Sequence, residues 1–158
     1  MTDSDPLVSL YQGMDPEQRR IAYAYARCLL THTDDDTLIS SVLSRQLINH
    51  HEMTMLLNVS GKIVYMSWSA EQLFRYPLPE ILGTSIYESI GRNHSPEDMR
   101  GAWEALRMGK TASVTAEAVC RDNEEITIHI EKVPVIVSGK LIGKCCRIRL
   151  DEHDIHQR

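Results

Sequence analysis

The stretch NVSGKIVYMSWSAEQLFRYPLPEILGTS, residues 58–85, changes from strand chemistry to helix chemistry within a few residues. On either side of Ser60-Gly61, the short apolar segments MTMLLNVS and KIVYMS predict two strands joined by a two-residue turn. Ser69 is then placed to cap a short helix, and Gly83 stops a further single turn. A strand pair that runs directly into one- and two-turn helices predicts a sheet with small helices across one face.

The second half of the chain predicts one longer helix and three more strands. Ser95 is a good N-cap and Gly109 a good helix stop, which predicts a helix over residues 95–108. Three segments with apolar residues at every second position follow: TASVTAEAVCR, EITIHIEKVPVIV and KLIGKCCRIRL. Alternation over three consecutive strands indicates an antiparallel sheet with one buried face, and the order of elements predicts an α+β fold.

The first part of the chain predicts two amphipathic helices, while residues 1–13 carry no strong pattern. The first helix begins at Asp15, where Gln18 completes a capping box, and the second covers roughly residues 37–49. Their apolar stripes are Ile21, Tyr25, Cys28 and Leu29 in the first helix and Ile39, Val42, Leu43 and Leu47 in the second. Neither helix can bury its stripe alone, so each is expected to dock on the following domain or on a second copy of the chain.

The composition is that of a soluble globular protein, with 158 residues of which 42% are hydrophobic and 25% charged. Because the net charge is -5 and there is no basic block, neither nucleic acid nor an anionic membrane is an expected partner. No apolar run approaches the ~18 residues of a membrane-spanning helix, and a cytoplasmic location is predicted. Cys28, Cys120, Cys145 and Cys146 are interpreted as reduced, buried thiols, with a metal or redox site as the alternative.

Several motifs, in the right order over residues 53–158, resemble the PAS sensor family. NVSGKIVYMSWSAEQLFRY resembles the family's opening strands and first helix, and PEILGTSIYESI resembles its acidic helix, glycine and aromatic-hydrophobic turn. HSPEDM is similar to the family's His-Pro-Asp-Asp turn, and DIHQR to the segment through which a PAS domain passes its signal to an effector. The chain departs from the family at Ser67, where an asparagine is common. The resemblance implies a five-stranded antiparallel sheet in the order 2-1-5-4-3, with a cavity between the sheet and the helices.

On this resemblance the chain divides into an N-terminal helical extension (1–51), a PAS domain (52–151) and the start of a linker to an effector (152–158). The inward-facing residues would either line a pocket for a small apolar or heterocyclic ligand or form a filled core without a ligand. The candidate ligand-binding residues are Leu57, Tyr65, Trp68, Phe74, Ile86, Tyr87, Trp103, Cys120, Ile128, Ile130 and Cys146. Tyr65 and Trp68 favour a ligand, because a buried tyrosine or tryptophan needs a partner for its polar atom.

Haem, light-sensing flavin and metal ions are not expected. By resemblance, haem needs an axial histidine on or beside the long helix, and His94 is interpreted instead as a turn residue. The light-sensing flavin branch needs a reactive cysteine in an Asn-Cys-Arg-Phe-Leu-type helix, which the sequence lacks. His50-His51 are interpreted as partners of a helix dipole rather than metal ligands, and His129 as solvated or at an interface. With no recognisable triad or phosphate-binding glycine loop, the segment is not expected to be an enzyme.

The sequence therefore favours a regulatory PAS sensor module of a longer signalling protein. It would bind a small molecule or relay a conformational signal through dimer packing; the alternative is a ligand-free dimerisation or protein-interaction module. By resemblance, the two N-terminal helices dock on the outer face of the sheet and form a homodimer interface there. An effector, such as a histidine kinase, a cyclic-dinucleotide enzyme or a DNA-binding unit, would follow residue 158.

Overall fold

The computed structural model describes residues 5–31, 33–48, 52–94 and 100–155. The helices are α1 (Pro6–Gln12), α2 (Pro16–Leu30), α3 (Asp35–Ser44), α4 (Trp68–Phe74), α5 (Leu78–Ile81), α6 (Arg100–Arg107) and α7 (Glu152–Ile155), with a 3-10 turn at Ile86–Glu88. The strands are β1 (Met53–Asn58), β2 (Ile63–Met66), β3 (Ala112–Val119), β4 (Glu125–Val137) and β5 (Lys140–Leu150). Within the described ranges these strands form one antiparallel sheet in the order β2-β1-β5-β4-β3, which confirms the predicted α+β fold and strand order.

The sheet has two differently covered faces. Helices α4, α5 and α6 lie on the inner face, and α2 and α3 dock on the outer face over β1, β2 and parts of β4 and β5. Directly opposite residues of antiparallel strands share a face, so Leu56, its partner Tyr65 and its partner Cys145 all lie on the outer face. The approach of α3 is close: a Cβ atom on Gly143 would lie 2.8 Å from the Leu38 side chain.

Two strands are buried on both faces, which corrects the expectation of a single buried face. Every residue from 54 to 57 in β1 and from 63 to 66 in β2 is buried. The reason is the docking of α2 and α3 on the outer side of this half of the sheet. Apart from Thr54, the segments MTMLL and IVYM are apolar throughout, and this lack of polar alternation is the signal in the sequence for two-sided burial.

In the N-terminal helices the predicted N-cap at Asp15 is confirmed, but the predicted apolar stripes are only partly buried. Asp15 caps α2 and forms the expected capping box with Gln18. The side chains of Tyr25, Leu29 and Leu43, however, are exposed. Cys28, Ile39 and Val42 of the predicted stripes are buried, together with Ala24 and Leu38, which the predicted stripes omit. Ala24 lies one turn before Cys28, and a ranking by side-chain hydrophobicity overlooks its small side chain.

Three features of the secondary structure differ from the predictions. A short helix, α1, lies in the segment for which no element was predicted, and α3 ends at Ser44, where Gln46 adopts a positive φ of 54°. The β1–β2 connection has four residues, 59–62, rather than two; within it the Asn58 N–H donates to the Lys62 carbonyl oxygen and Gly61 takes a left-handed φ of 80°. Of the predicted helix 95–108, residues 95–99 lie outside the described ranges.

The predicted cap of α4 is also corrected. Its N-cap is Ser67, whose side chain accepts a hydrogen bond from the Ala70 N–H, and Ser69 lies inside the helix. The Ser67 hydroxyl oxygen also accepts from the Thr54 N–H of β1, at 3.0 Å. Ser67 is one of the positions at which the chain departs from the PAS pattern, and its hydroxyl oxygen both bonds to β1 and caps α4.

Candidate functional site: the inner cavity

A cavity of about 490 Å³ lies between the inner face of the sheet and the segment that contains the 3-10 turn. Its floor is formed by the inner-face residues of β1, β3, β4 and β5. Its opposite wall is the backbone and side chains from Ile86 to His94. Most of the surface around it is apolar, which is the ordinary character of a small-molecule site.

The wall of the cavity is held to the β1–β2 hairpin by backbone hydrogen bonds and close packing. The Ile86 N–H donates to the Gly61 carbonyl oxygen at 2.8 Å, and the Gly91 N–H donates to the Ile86 carbonyl oxygen at 2.7 Å. A Cβ atom on Gly61 would lie 3.0 Å from the Tyr87 ring, so this glycine provides both the left-handed turn and the space for the ring. The wall is therefore positioned by the hairpin that opens the domain.

Six of the candidate residues from the sequence meet at this cavity: Leu57, Ile86, Tyr87, Ile128, Ile130 and Cys146. Trp103, in α6, is buried beside them, since its ring lies over the ammonium group of Lys144 and its indole is hydrogen-bonded to the Tyr87 hydroxyl. Burial raises the pKa of Tyr87, and the hydrogen bond with Trp103 opposes this shift.

The other four candidates do not line the cavity. Tyr65 is fully buried on the outer face, and its hydroxyl has no hydrogen-bond partner among the described residues. Trp68 begins α4 with 58% of its surface exposed. Phe74 belongs to the packed core, and the Cys120 thiol donates to the Leu73 carbonyl oxygen at 3.5 Å. Alternation along one strand does not say which of its two faces points toward the cavity. For this reason Tyr65 was predicted to line the cavity although it lies on the opposite face of the sheet.

Two buried lysines in the cavity were missed at the level of sequence. Lys132 in β4 is 2% exposed and Lys144 in β5 is 1% exposed, and both line the cavity. The sequence contained a signal for this placement, because alternate residues of a strand lie on one face. Lys132 is two and four residues from the inward-facing Ile130 and Ile128, and Lys144 is two residues from Cys146. Neither lysine was among the candidate residues, although strand periodicity places each on the same face as an inward-facing neighbour.

The lysines and the cavity thiol influence each other. Burial, and to a smaller extent the positive charge of Lys144, lower the pKa of Lys132 from 10.5 to about 8. Burial also lowers the pKa of Lys144. The Cys146 thiol has a raised pKa, because burial outweighs the opposing effect of the two lysines, so it is a neutral side chain at pH 7. The remaining cysteines are buried and free, as predicted.

A polar connection links the helices of the inner face to α2 around the β2 edge. The Arg20 guanidinium of α2 forms a largely buried ion pair with Glu71 of α4 and donates to the Met66 carbonyl oxygen at 2.9 Å. The Glu71 carboxylate also accepts from the Leu78 N–H, at the start of α5, at 3.0 Å. One carboxylate thus joins α2, α4 and α5.

The uncovered half of the outer face is polar. Arg147 lies between Glu52, at 3.4 Å, and Glu131, at 3.3 Å. The His129 ring Nε2 lies 2.7 Å from an Asp151 carboxylate oxygen, and this hydrogen bond is the main cause of the lowered pKa of Asp151. Asp151 directly follows β5, so this pair ties the exit of the sheet to β4.

The remaining histidines give no sign of a metal centre within the described residues, where no cluster of three or more His, Cys, Asp or Glu side chains could hold an ion. His94 lines the cavity, and its Nε2 lies 2.8 Å from the Glu117 carbonyl oxygen, as suits a turn residue. His50 and His51 lie outside the described ranges. None of the helices in the described ranges is long and apolar enough to cross a lipid bilayer.

A family model and many solved structures match the chain. The family model described as PAS fold matches residues 42–150. The PAS domain of an HTR-like protein from Haloarcula marismortui superposes with a TM-score of 0.57 at 19% identity, over 71% of this chain and 91% of that chain. The PAS domain of a Colwellia psychrerythraea protein superposes with a TM-score of 0.57 at 14% identity, over 71% and 98% of the two chains.

A PAS domain from a two-component sensor histidine kinase superposes with a TM-score of 0.54 at 12% identity, over 73% of this chain and 99% of that chain. At these identities the likeness to the solved structures shows the fold alone. No curated protein matches the chain.

Proposed function

The chain belongs to the PAS family, a family of sensor and signalling modules, and from this premise we propose that it is a regulatory module that binds a small molecule in the inner cavity. The observation that carries the proposal is the cavity of about 490 Å³, lined mainly by apolar side chains and closed by a short, turn-rich wall. A ligand that binds one arrangement of this wall better than another shifts the population toward it.

The contacts around the cavity support a route for the signal. The wall is bonded to the β1–β2 hairpin, and the hairpin continues into α4, whose Glu71 holds Arg20 of α2. A change in the packing of the inner helices would therefore reach the N-terminal helices. A second route follows β5 to Asp151 and its His129 contact, toward a proposed effector beyond residue 158. That effector would be a histidine kinase, a cyclic-dinucleotide enzyme or a DNA-binding unit of a two-component or transcriptional regulator.

The proposed ligand is neither haem nor a light-sensing flavin. The cavity histidine, His94, has its Nε2 bonded to a backbone carbonyl oxygen. The cavity cysteine, Cys146, lies on a strand and its pKa is raised rather than lowered, which disfavours a reactive thiolate. The proposal includes no catalytic activity for this segment, a cytoplasmic location, and no binding to nucleic acid, which the net charge of -5 disfavours.

The alternative of a dimerisation and interaction module is favoured by the exposed apolar side chains of the N-terminal helices. Leu10, Tyr25, Leu29 and Leu43 are each at least 36% exposed, and Leu30 is 79% exposed. An apolar groove between α1, α2 and α3 is lined by Leu10, Met14, Ile21, Tyr25 and Leu43. We propose that a second copy of the chain covers these helices together with the polar half of the outer sheet face.

One experiment separates the two functions. The purified chain is analysed by absorption spectroscopy and mass spectrometry of extracted small molecules, and its mass in solution is measured by light scattering. A stoichiometric metabolite supports sensing, whereas a ligand-free dimer favours the interaction module.

A cavity-filling variant supplies the structural control. Ala116→Leu should expel the metabolite, because Ala116 lines the cavity, whereas Ser113→Leu, exposed on the same strand, should retain it. Retention in both variants would place the metabolite elsewhere.

A further inference from the structure

The exit of the sheet is tied to the start of α7 by a compact set of hydrogen bonds. The Asp151 N–H donates to the Thr127 carbonyl oxygen at 3.0 Å, and the Thr127 N–H donates to an Asp154 carboxylate oxygen at 2.5 Å. The Asp151 carboxylate accepts from the His153 N–H at 3.1 Å, and its carbonyl oxygen accepts from the Asp154 N–H at 3.0 Å. Asp151 therefore joins the end of β5 to β4 and also holds the turn of α7.

The imidazole ring of His129 bridges β3 and this exit. Its Nδ1 lies 2.8 Å from the Thr115 hydroxyl oxygen, and its Nε2 lies 2.7 Å from the second carboxylate oxygen of Asp151. Thr115 and His129 are directly opposite each other on β3 and β4, so their side chains share the outer face. The ring is thus held at both nitrogens, and one of these contacts is to the carboxylate that holds α7.

The geometry around the ring accommodates both charge states of His129. In the neutral ring, the Nε2–H donates to Asp151 and Nδ1 accepts from the Thr115 hydroxyl. In the imidazolium both nitrogens donate, and the threonine oxygen accepts instead, since a hydroxyl can serve in either role. Protonation therefore converts the contact with Asp151 into an ion pair, which is stronger, without requiring a heavy atom to move.

The charges beside the ring act in both directions. Arg149 lies directly opposite His129 on β5 and opposes protonation, whereas the Asp151 carboxylate favours it. The hydrogen bond with His129 is the main cause of the lowered pKa of Asp151, so this carboxylate stays ionised in mild acid. Within the described ranges, the other titratable or charged groups beside the ring are Glu117 of β3, Glu131 of β4, Arg147 of β5, and Glu152, His153 and Asp154 of α7.

We propose that the chain has a second input, the proton concentration, which acts through protonation of His129 and tightens the hold of the sheet on α7. Histidine is the side chain whose charge ordinarily changes between pH 5 and pH 8. The hold is therefore strongest on the acid side of this range and weakens as the pH rises through it. Neither His129 nor Asp151 is among the described residues that line the inner cavity, so the response requires no ligand there.

The test compares amide hydrogen exchange in the whole chain at about pH 5.5 and about pH 7.5, measured by NMR. The protection factors of the Asp151, His153 and Asp154 amides should be about threefold higher at the lower pH, a modest factor because the pair is partly exposed. The Val119 N–H, bonded to a backbone carbonyl oxygen outside this network, is the internal reference. The ring signals of His129 should titrate within the same range.

Three variants assign the response to its residues. His129→Gln should abolish the pH difference, because a glutamine amide can donate a hydrogen bond but takes up no proton. Asp151→Asn should also abolish it, while asparagine still provides an oxygen that caps the turn. His153→Gln, which removes the histidine of α7 itself, should retain the difference. Unchanged protection of the Val119 amide shows that each variant remains folded.

Three results would overturn the inference. They are equal protection of the α7 amides at both pH values in the native chain, a pH difference that persists in His129→Gln, and a pH difference that disappears in His153→Gln. Because the measurement uses no ligand, these results leave the proposed sensor function intact. Conversely, a purified chain without a metabolite would count against the sensor function but not against this response.

Discussion

The ammonium group of Lys144 lies over the ring of Trp103, 4.2 Å from its centroid, and joins the inner face of β5 to helix α6. Both side chains are buried, at 1% and 8% exposure. The contact holds a charge inside the domain beside the cavity, so its energy matters both for the stability of the fold and for the proposed ligand site.

The energy of this contact can be measured by a double-mutant cycle. Trp103→Leu should cost less stability in a Lys144→Met background than in the native chain, with a coupling energy of about 1–2 kcal/mol, because the ring compensates a desolvated cation. Urea denaturation supplies the four free energies of unfolding. The matched cycle with Lys140→Met should be additive within about 0.5 kcal/mol. Equal coupling in both cycles would contradict a specific contact.

Lys132 predicts a dependence of stability on alkaline pH. Its pKa is about 8 in the folded chain and 10.5 in the unfolded chain, so between these values the unfolded chain binds more protons and stability rises with pH. Below pH 8 the cost of burying the charge is complete, and a pKa difference of this size corresponds to about 3 kcal/mol.

We therefore expect Lys132→Met to be more stable than the native chain at pH 7, by up to about 3 kcal/mol, in the absence of ligand. The advantage should shrink as the pH rises from 8 to 10.5. Urea denaturation of both chains across this range measures it, and the difference between them removes the contribution of other titrating groups. An advantage that is constant with pH would refute the assignment to Lys132.

The two serines at the start of α4 should differ in their effect on stability. Ser67→Ala should cost about 1–2 kcal/mol, because the hydroxyl oxygen accepts from the Thr54 N–H and the Ala70 N–H. Ser69→Ala should change stability by less than about 0.5 kcal/mol, since Ser69 is not the cap. Thermal or urea unfolding gives both values. The reverse order of effects would mean that the helix begins two residues later.

Gly143 tests the docking of α3 on the sheet. An alanine Cβ there would lie 2.5 Å from the Leu57 carbonyl oxygen and 2.8 Å from the Leu38 side chain. Gly143→Ala should therefore cost about 2–3 kcal/mol or more and increase hydrogen exchange in α3.

Two further variants check the cause of this effect. Leu38→Ala should rescue Gly143→Ala only in part, because the backbone oxygen cannot move away as a side chain can. Gly13→Ala serves as the control, since its nearest atoms would be at ordinary contact distance, 3.5 Å and beyond. Equal effects at Gly13 and Gly143 would argue against close packing.

Most of the fold could be predicted from the chain alone. Strand alternation, the Asp15 capping box and the helix stop at Gly109 depend on neighbours within a few positions, so they can be read from a short window of sequence. The order of the motifs then implied, by resemblance, a sheet with the strand order 2-1-5-4-3, and the structure confirms this order.

The candidate site could be predicted only in part. Six residues of the predicted set line the cavity, but Tyr65 lies on the other side of the sheet and Trp68 is in solvent. Alternation sorts the residues of a strand into two groups without saying which group faces inward. That choice depends on which helices cover each face, and those helices are distant in the chain.

The sequence by itself determined most of the elements, their order and which residues of a strand share a face, because these follow from local geometry. Only the tertiary structure decided which face of the sheet points toward the cavity and that the buried Lys144 meets Trp103. Those outcomes require α2, α3 and α6 to dock on strands far away in the chain, and docking is a balance of shape, charge and desolvation over many residues at once. A short window of sequence contains no information on that balance.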